Sequence, residues 1–158
     1  MNKRTEIGLP VRVRPGTDPV EETLPVEELG PNHYRLVYSP GLVHGLAAGD
    51  EIGLSDTAPS GFIVKKRGGN FCIWFFFPKE GMNRGEDARR LSQEVSRIGG
   101  RMEGGGETTL VFSAPASSGF DAIADFFDAA VASVHDSAWM FSNAYAPGTG
   151  ARLDWWQV

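Results

Sequence analysis

Phe71-Cys72-Ile73-Trp74-Phe75-Phe76-Phe77 is the longest apolar run in the chain. Its seven residues are far too few to cross a membrane, which takes about 20 in a helix. A strand with one wet face alternates apolar and polar side chains. Here 71, 73, 75 and 77 are apolar, and so are 72, 74 and 76. A strand of this kind is expected to be buried on both faces. It therefore has to sit between two layers, and the segments on either side of it say which.

On its N-terminal side the chain reads as short strands. Gly68-Gly69 separates Phe62–Arg67 from the apolar run, a two-residue hairpin signal. Glu51 to Leu54 follows the turn Ala48-Gly49-Asp50, and His33 to Tyr38 follows Gly30-Pro31-Asn32. Leu9, Val11 and Val13 alternate with Pro10, Arg12 and Arg14, the period of a half-buried strand. Val20 to Leu29 is a further strand, which Pro25 assigns to an edge or a bulge. Strands this short and closely spaced suggest a small barrel, which limits exposed sheet edges.

On its C-terminal side the period changes. Asn83, with Glu86 three residues on, can cap a helix whose apolar positions are Ala88, Leu91, Val95 and Ile98. Gly99-Gly100 ends it. Thr108 to Ala114 is β-rich. Ser118 is placed to cap a second helix with the stripe Phe120, Ile123, Phe127, Ala130, Val131 and Val134. Trp139 to Tyr145 reads as a last strand, before the tail Leu153-Asp154-Trp155-Trp156. Strand, helix, strand, strand, helix, strand is the ferredoxin-like order. The expected fold is α+β: a small N-terminal β-barrel, SH3-like or similar, fused through a shared strand to a ferredoxin-like βαββαβ layer. The barrel-like half spans residues 1–79 and the ferredoxin-like half, with its aromatic tail, 71–158, as a single compact unit.

Charge narrows the function classes. The 158 residues carry 15 basic and 20 acidic side chains. Residues 1–79 balance to zero, so the whole net charge of −5 lies after residue 79. A general nucleic-acid or membrane coat needs clustered Lys and Arg, and neither is the expected partner. Lys65-Lys66-Arg67 is the one basic run, and three charges on a turn are ordinarily solvated. Cys72 is the only cysteine, so no internal disulfide or Cys-based zinc cluster is expected. His33, His44 and His135 lack helical metal-site spacing, and neither a metal nor a cofactor is expected. The opening MNKRTEIGLPVRVRP has basic residues without a following apolar run, which suits a cytosolic protein.

Two groups of residues stand out. Asp121, Asp125 and Asp128 fall at i, i+4 and i+7 along one face of the second predicted helix, and Asp136 follows just beyond it. Such a face suits a basic partner, with Trp155 or Trp156 as aromatic anchors. His44 lies in the loop Gly41-Leu42-Val43-His44-Gly45, with Asp50 close behind, and these two mark an alternative ligand pocket between barrel and helices.

Val26-Glu27-Glu28-Leu29-Gly30, Tyr34-Arg35-Leu36, Pro40 and His44-Gly45-Leu46-Ala47-Ala48-Gly49-Asp50 together resemble the bacterial domain of unknown function family DUF4265. The resemblance covers roughly residues 9–145, is most specific over 41–54, and leaves out the tail 146–158. It implies no catalytic residue. Small proteins of this kind are often encoded as immunity partners of bacterial toxins. The expected function is accordingly a non-enzymatic protein-binding module: an immunity protein that neutralises a toxin, such as a nuclease, by occluding its active site with an acidic surface. The alternatives are a ligand-binding or enzymatic domain at His44 and Asp50, and a nucleic-acid-binding module at Lys65 to Arg67.

Overall fold

A computed structural model describes residues 2–11, 16–18, 20–78 and 84–157. Five strands run as an antiparallel meander: β1 (Lys3–Val11), β2 (Val20–Gly30), β3 (His33–Leu36), β4 (Glu51–Leu54) and β5 (Phe62–Lys66). One face buries Ile7, Leu9, Leu24, Val26, Leu36 and Ile52. These fall at alternate positions, as the period of two requires. Val13 and Asn83 lie outside the described residues.

The meander stays open, with β1 and β5 as its two edges, so the expected closed barrel does not form. The two edges do approach at one end, where a Cβ on Gly61 would lie 2.8 Å from the Pro10 ring. Pro10 has no N–H to donate to a ladder there. Pro25 is accommodated inside β2, which pairs on both sides. It lies one residue beyond the last β2–β3 partner pair, Val26 with Leu36, and only its carbonyl is used there, accepting from Val37 N.

The second sheet contains β6 (Asn70–Phe76), β7 (Arg101–Gly105), β8 (Thr109–Pro115) and β9 (Ala138–Phe141) in the order β7-β8-β6-β9, all antiparallel. Helix α1 (Arg84–Ser96) joins β6 to β7, and α2 (Phe120–Ser133) joins β8 to β9. Leu91, Val95, Ile123, Phe127, Ala130 and Val134 pack on Phe71, Ile73, Phe75 and Phe112 in one core. The chain is thus α+β, with two antiparallel sheets and two helices.

The apolar run is buried on both faces as far as Phe75, Phe76 being exposed, but not by a shared strand. β6 pairs only with β8 and β9. Its second face carries Cys72 and Trp74, which pack with Ala47, Val111 and Met140. The loop after β3 covers that face: Trp74 Nε1 donates to Pro40 O at 2.8 Å. Gly68-Gly69 is correspondingly no hairpin turn, because β5 and β6 belong to different sheets. Gly69 takes a left-handed φ of 88°, and Gly68 is glycine for a second reason. A Cβ on Gly68 would sit 2.3 Å from the Gly49 carbonyl carbon, so two backbones meet there.

Two local expectations also change. Gly119, not Ser118, precedes α2 as its cap residue. Ser118 lies in a short 3-10 turn and donates its hydroxyl to Ile98 O, tying the end of the α1 region to the start of α2. Strand β9 stops at Phe141 because the Asn143 side chain takes over the pairing. Its Oδ1 accepts from Cys72 N at 2.9 Å and its Nδ2 donates to Asn70 O at 3.0 Å. Among the described residues no helix is long and apolar enough to cross a membrane.

Candidate functional site at the seam between the sheets

The loop between β3 and β4 is held by three polar anchors. The Glu22 carboxylate accepts from the backbone N–H of Gly41, Leu42 and Val43 at 2.9, 3.0 and 2.8 Å. The buried Asp50 carboxylate accepts from Ala47 N at 3.0 Å, Gly68 N at 2.8 Å and Arg67 Nη1 at 3.2 Å. Ser39 accepts from Ala48 N and bonds the Ser113 hydroxyl, which donates to Glu103, itself paired with Arg101. Loop N–H groups that would otherwise lack partners are thereby satisfied. Burial pushes the Asp50 carboxyl above its ordinary value, against the opposing pull of the Gly68 N–H, the Arg67 charge and the Ala47 N–H.

Beside this loop lies a cavity of about 670 Å³. Its walls come from both halves of the chain: Pro10 and Val11 of β1, Val43 of the β3–β4 loop, Phe62 and Val64 of β5, and Met140 of β9. Tyr145, Pro147 and Leu153 close it from the C-terminal tail. The volume is in the usual range for small-molecule sites, roughly 300–1,000 Å³. His44, Arg67 and Ser142 are the polar residues on the wall that bear on its chemistry. Arg67 Nη1 donates to Gly45 O at 2.7 Å as well as to Asp50, and the guanidinium carbon lies 5.6 Å from the centre of a Trp155 ring.

The two residues of the predicted pocket therefore divide. His44 stands on the wall, exposed, with its ring 4.5 Å from that of Trp74 in an edge contact. Asp50 is fully buried behind Arg67 and reaches the cavity only through it. Cys72 is not on the wall. Burial pushes its thiol up to about 12. The Ser142 hydroxyl is buried and makes no hydrogen bond of its own among the described residues.

The acidic set is split as well. Asp121 and Asp125 are exposed on α2, and Asp121 occupies the first turn, where a negative charge suits the helix dipole. Asp128 accepts from Trp139 Nε1 at 2.9 Å, fastening α2 to β9. Asp136 has a left-handed φ of 55° just past the helix and lies 3.2 Å from His135. Trp155 and Trp156 are half-buried against the chain's own core: Trp156 stacks on Phe120 at 4.9 Å, and Trp155 Nε1 donates to Asn143 O at 2.9 Å. Of the basic run, Lys65 donates to Asn32 O while Arg67 turns into the seam. No group of three or more His, Cys, Asp or Glu among the described residues is placed to hold a metal ion.

Glu22 and Asn143 are site-forming residues that sequence reasoning missed, and it had singled out Arg67 only within the basic run and the tail only for its tryptophans. One signal did exist for Arg67: a buried Asp50 calls for a nearby cation.

The model of a family described as a domain of unknown function (DUF4265) matches residues 22–136. No curated protein sequence matches the chain. The crystal structure of a hypothetical protein from Neisseria gonorrhoeae is similar in fold, with a TM-score of 0.59 over 90% of this chain and 94% of that one, at 15% sequence identity.

Proposed function

The chain belongs to the DUF4265 family, and we propose that it is a non-enzymatic binding module whose seam cavity takes a small ligand with an apolar body. The observation that carries this is the preformed cavity of about 670 Å³, apolar over most of its wall, beside a loop fixed by Glu22 and Asp50. A wall that is already in place spares a ligand the cost of ordering it. A binding role also suits Cys72, whose buried, high-pKa thiol lies off the wall and is a poor nucleophile. The order β7-β8-β6-β9, with α1 and α2 as its connections, fits a ferredoxin-like layer as one side of this seam. The test is titration of the neutral fluorophore N-phenyl-1-naphthylamine. Saturable one-to-one binding that is lost in Val64→Trp, with the fold retained by circular dichroism, supports the reading. No saturable binding removes it.

The exposed Asp121 and Asp125 support a second reading, in which α2 faces a basic protein partner. In that reading the chain is an immunity protein that occludes a toxin's active site. Charge reversal at Asp121 and Asp125 should then raise toxicity in cells that co-express the toxin. Undiminished protection would exclude this face as the interface.

A further inference from the structure

We infer that the seam cavity selects a monoanionic amphiphile, such as an aliphatic carboxylate, whose charged head is held by Arg67; this rests on the cavity reading above. The apolar wall sets the body of the ligand: Val43, Phe62, Val64, Met140 and Leu153 offer it no hydrogen bond through their side chains. Arg67 sets the head. Its guanidinium carries five N–H donors in a fixed fork. Both of its hydrogen bonds among the described residues, to Gly45 O and to Asp50, are made by Nη1. Nη2 and Nε make none among the described residues, although the side chain is only 21% exposed. Water on these donors can be replaced by an acceptor that matches the fork, and a carboxylate does so with two parallel bonds. Asp50 and the Trp155 ring, both against the same guanidinium, hold it in place before any ligand arrives. Asp50 also limits the charge of the ligand. A single negative charge meets an Arg67–Asp50 pair that is neutral as a unit. A dianion such as a phosphate monoester would bring two charges up to a carboxylate that already faces the guanidinium.

The test uses N-phenyl-1-naphthylamine as reporter and two competitors of one chain length, decanoate and decanol. Decanoate should displace the reporter at a concentration at least about tenfold below decanol, the share expected of a charge-assisted pair. Decyl phosphate, as the dianion at pH 8, should compete less well than decanoate. The double variant Asp50→Asn/Arg67→Gln removes both charges together and so leaves no lone buried ion. In it the reporter should still bind while decanoate loses its advantage. Arg67→Lys keeps a positive charge for Asp50 but loses the fork, and its preference for decanoate should shrink. That single variant decides the matter if the double variant does not fold. Equal competition by decanoate and decanol in the parent chain, or an undiminished preference in the variant, overturns the inference while leaving the cavity reading standing. Failure of the reporter itself to bind overturns both.

Discussion

Replacing Asp50 tests how the seam is held together. The carboxylate satisfies the buried N–H of Ala47 and the part-buried N–H of Gly68, and pairs with Arg67. In Asp50→Ala both N–H groups lose their partner, at about 1–3 kcal/mol each. Arg67 retains access to water, so its loss adds less than for a sealed pair. The sum, roughly 3–6 kcal/mol, rivals the whole stability of a typical domain. Asp50→Asn is the more informative variant. Its remaining oxygen can keep the Gly68 N–H, but its NH₂ then meets two donors, the Ala47 N–H and Arg67 Nη1. We expect a loss of roughly 2–3 kcal/mol, which lowers Tm by about 5–10 °C in a chain of this size. Differential scanning fluorimetry and urea titration read both quantities. A pH series adds a sign. Burial raises the Asp50 carboxyl above 3.8 in the native state, so the unfolded chain gives up this proton at lower pH than the folded one does. The contribution of Asp50 is then fully present below 3.8 and declines as pH rises through the raised native value. The stability difference between parent and Asp50→Asn should narrow across that window and level off above it. An Asn variant within about 1 °C of the parent would refute the anchoring role, and a difference that widens with pH would refute the effect of burial.

Four further outcomes follow from the packing. Gly68→Ala forces a Cβ to within 2.3 Å of the Gly49 carbonyl carbon and should cost several kcal/mol or abolish soluble expression. Gly30→Ala, with nothing within 4 Å, should stay within about 0.5 kcal/mol by urea titration. Trp156→Ala removes a ring stacked on Phe120 and set 5.0 Å from Phe71, and its urea midpoint should fall by an amount equivalent to roughly 2–3 kcal/mol. An unchanged midpoint would mean that the tail does not stabilise the core. Cys72, fully buried with its thiol near 12, should resist Ellman's reagent at pH 8 until denaturant is added. Rapid labelling of the folded chain would contradict that burial.

What was legible in the sequence was local and periodic. The double apolar register of residues 71–77 correctly announced a strand covered on both faces, as far as Phe75, and the stripes of both helices fell on the core. How the second face is covered was not legible. It depends on Pro40 accepting from Trp74, 34 positions away, and on Ala47 packing beside Cys72, contacts between residues whose types carry no pairing code. Gly68-Gly69 has the composition of a hairpin, yet Gly68 serves a close backbone approach and Gly69 a left-handed φ of 88°, and composition does not separate these uses. That the first sheet stays open, with β1 and β5 as its edges, was not legible in the spacing of its strands. For the site, the loop position of His44 sufficed to place it on the cavity wall. Arg67 was hidden in a run of three cations whose other members are exposed. Asn143 was missed because a side chain replacing strand pairing leaves no periodic trace.

The central claim is that the seam cavity is a binding site, and amide chemical-shift mapping tests it most directly. Titrating N-phenyl-1-naphthylamine into the ¹⁵N-labelled chain should give saturable shifts concentrated at Val43, Gly45, Phe62, Val64, Arg67 and Met140, with α2 little changed. Shifts that fail to saturate, or that gather on α2 and leave the seam undisturbed, would contradict it.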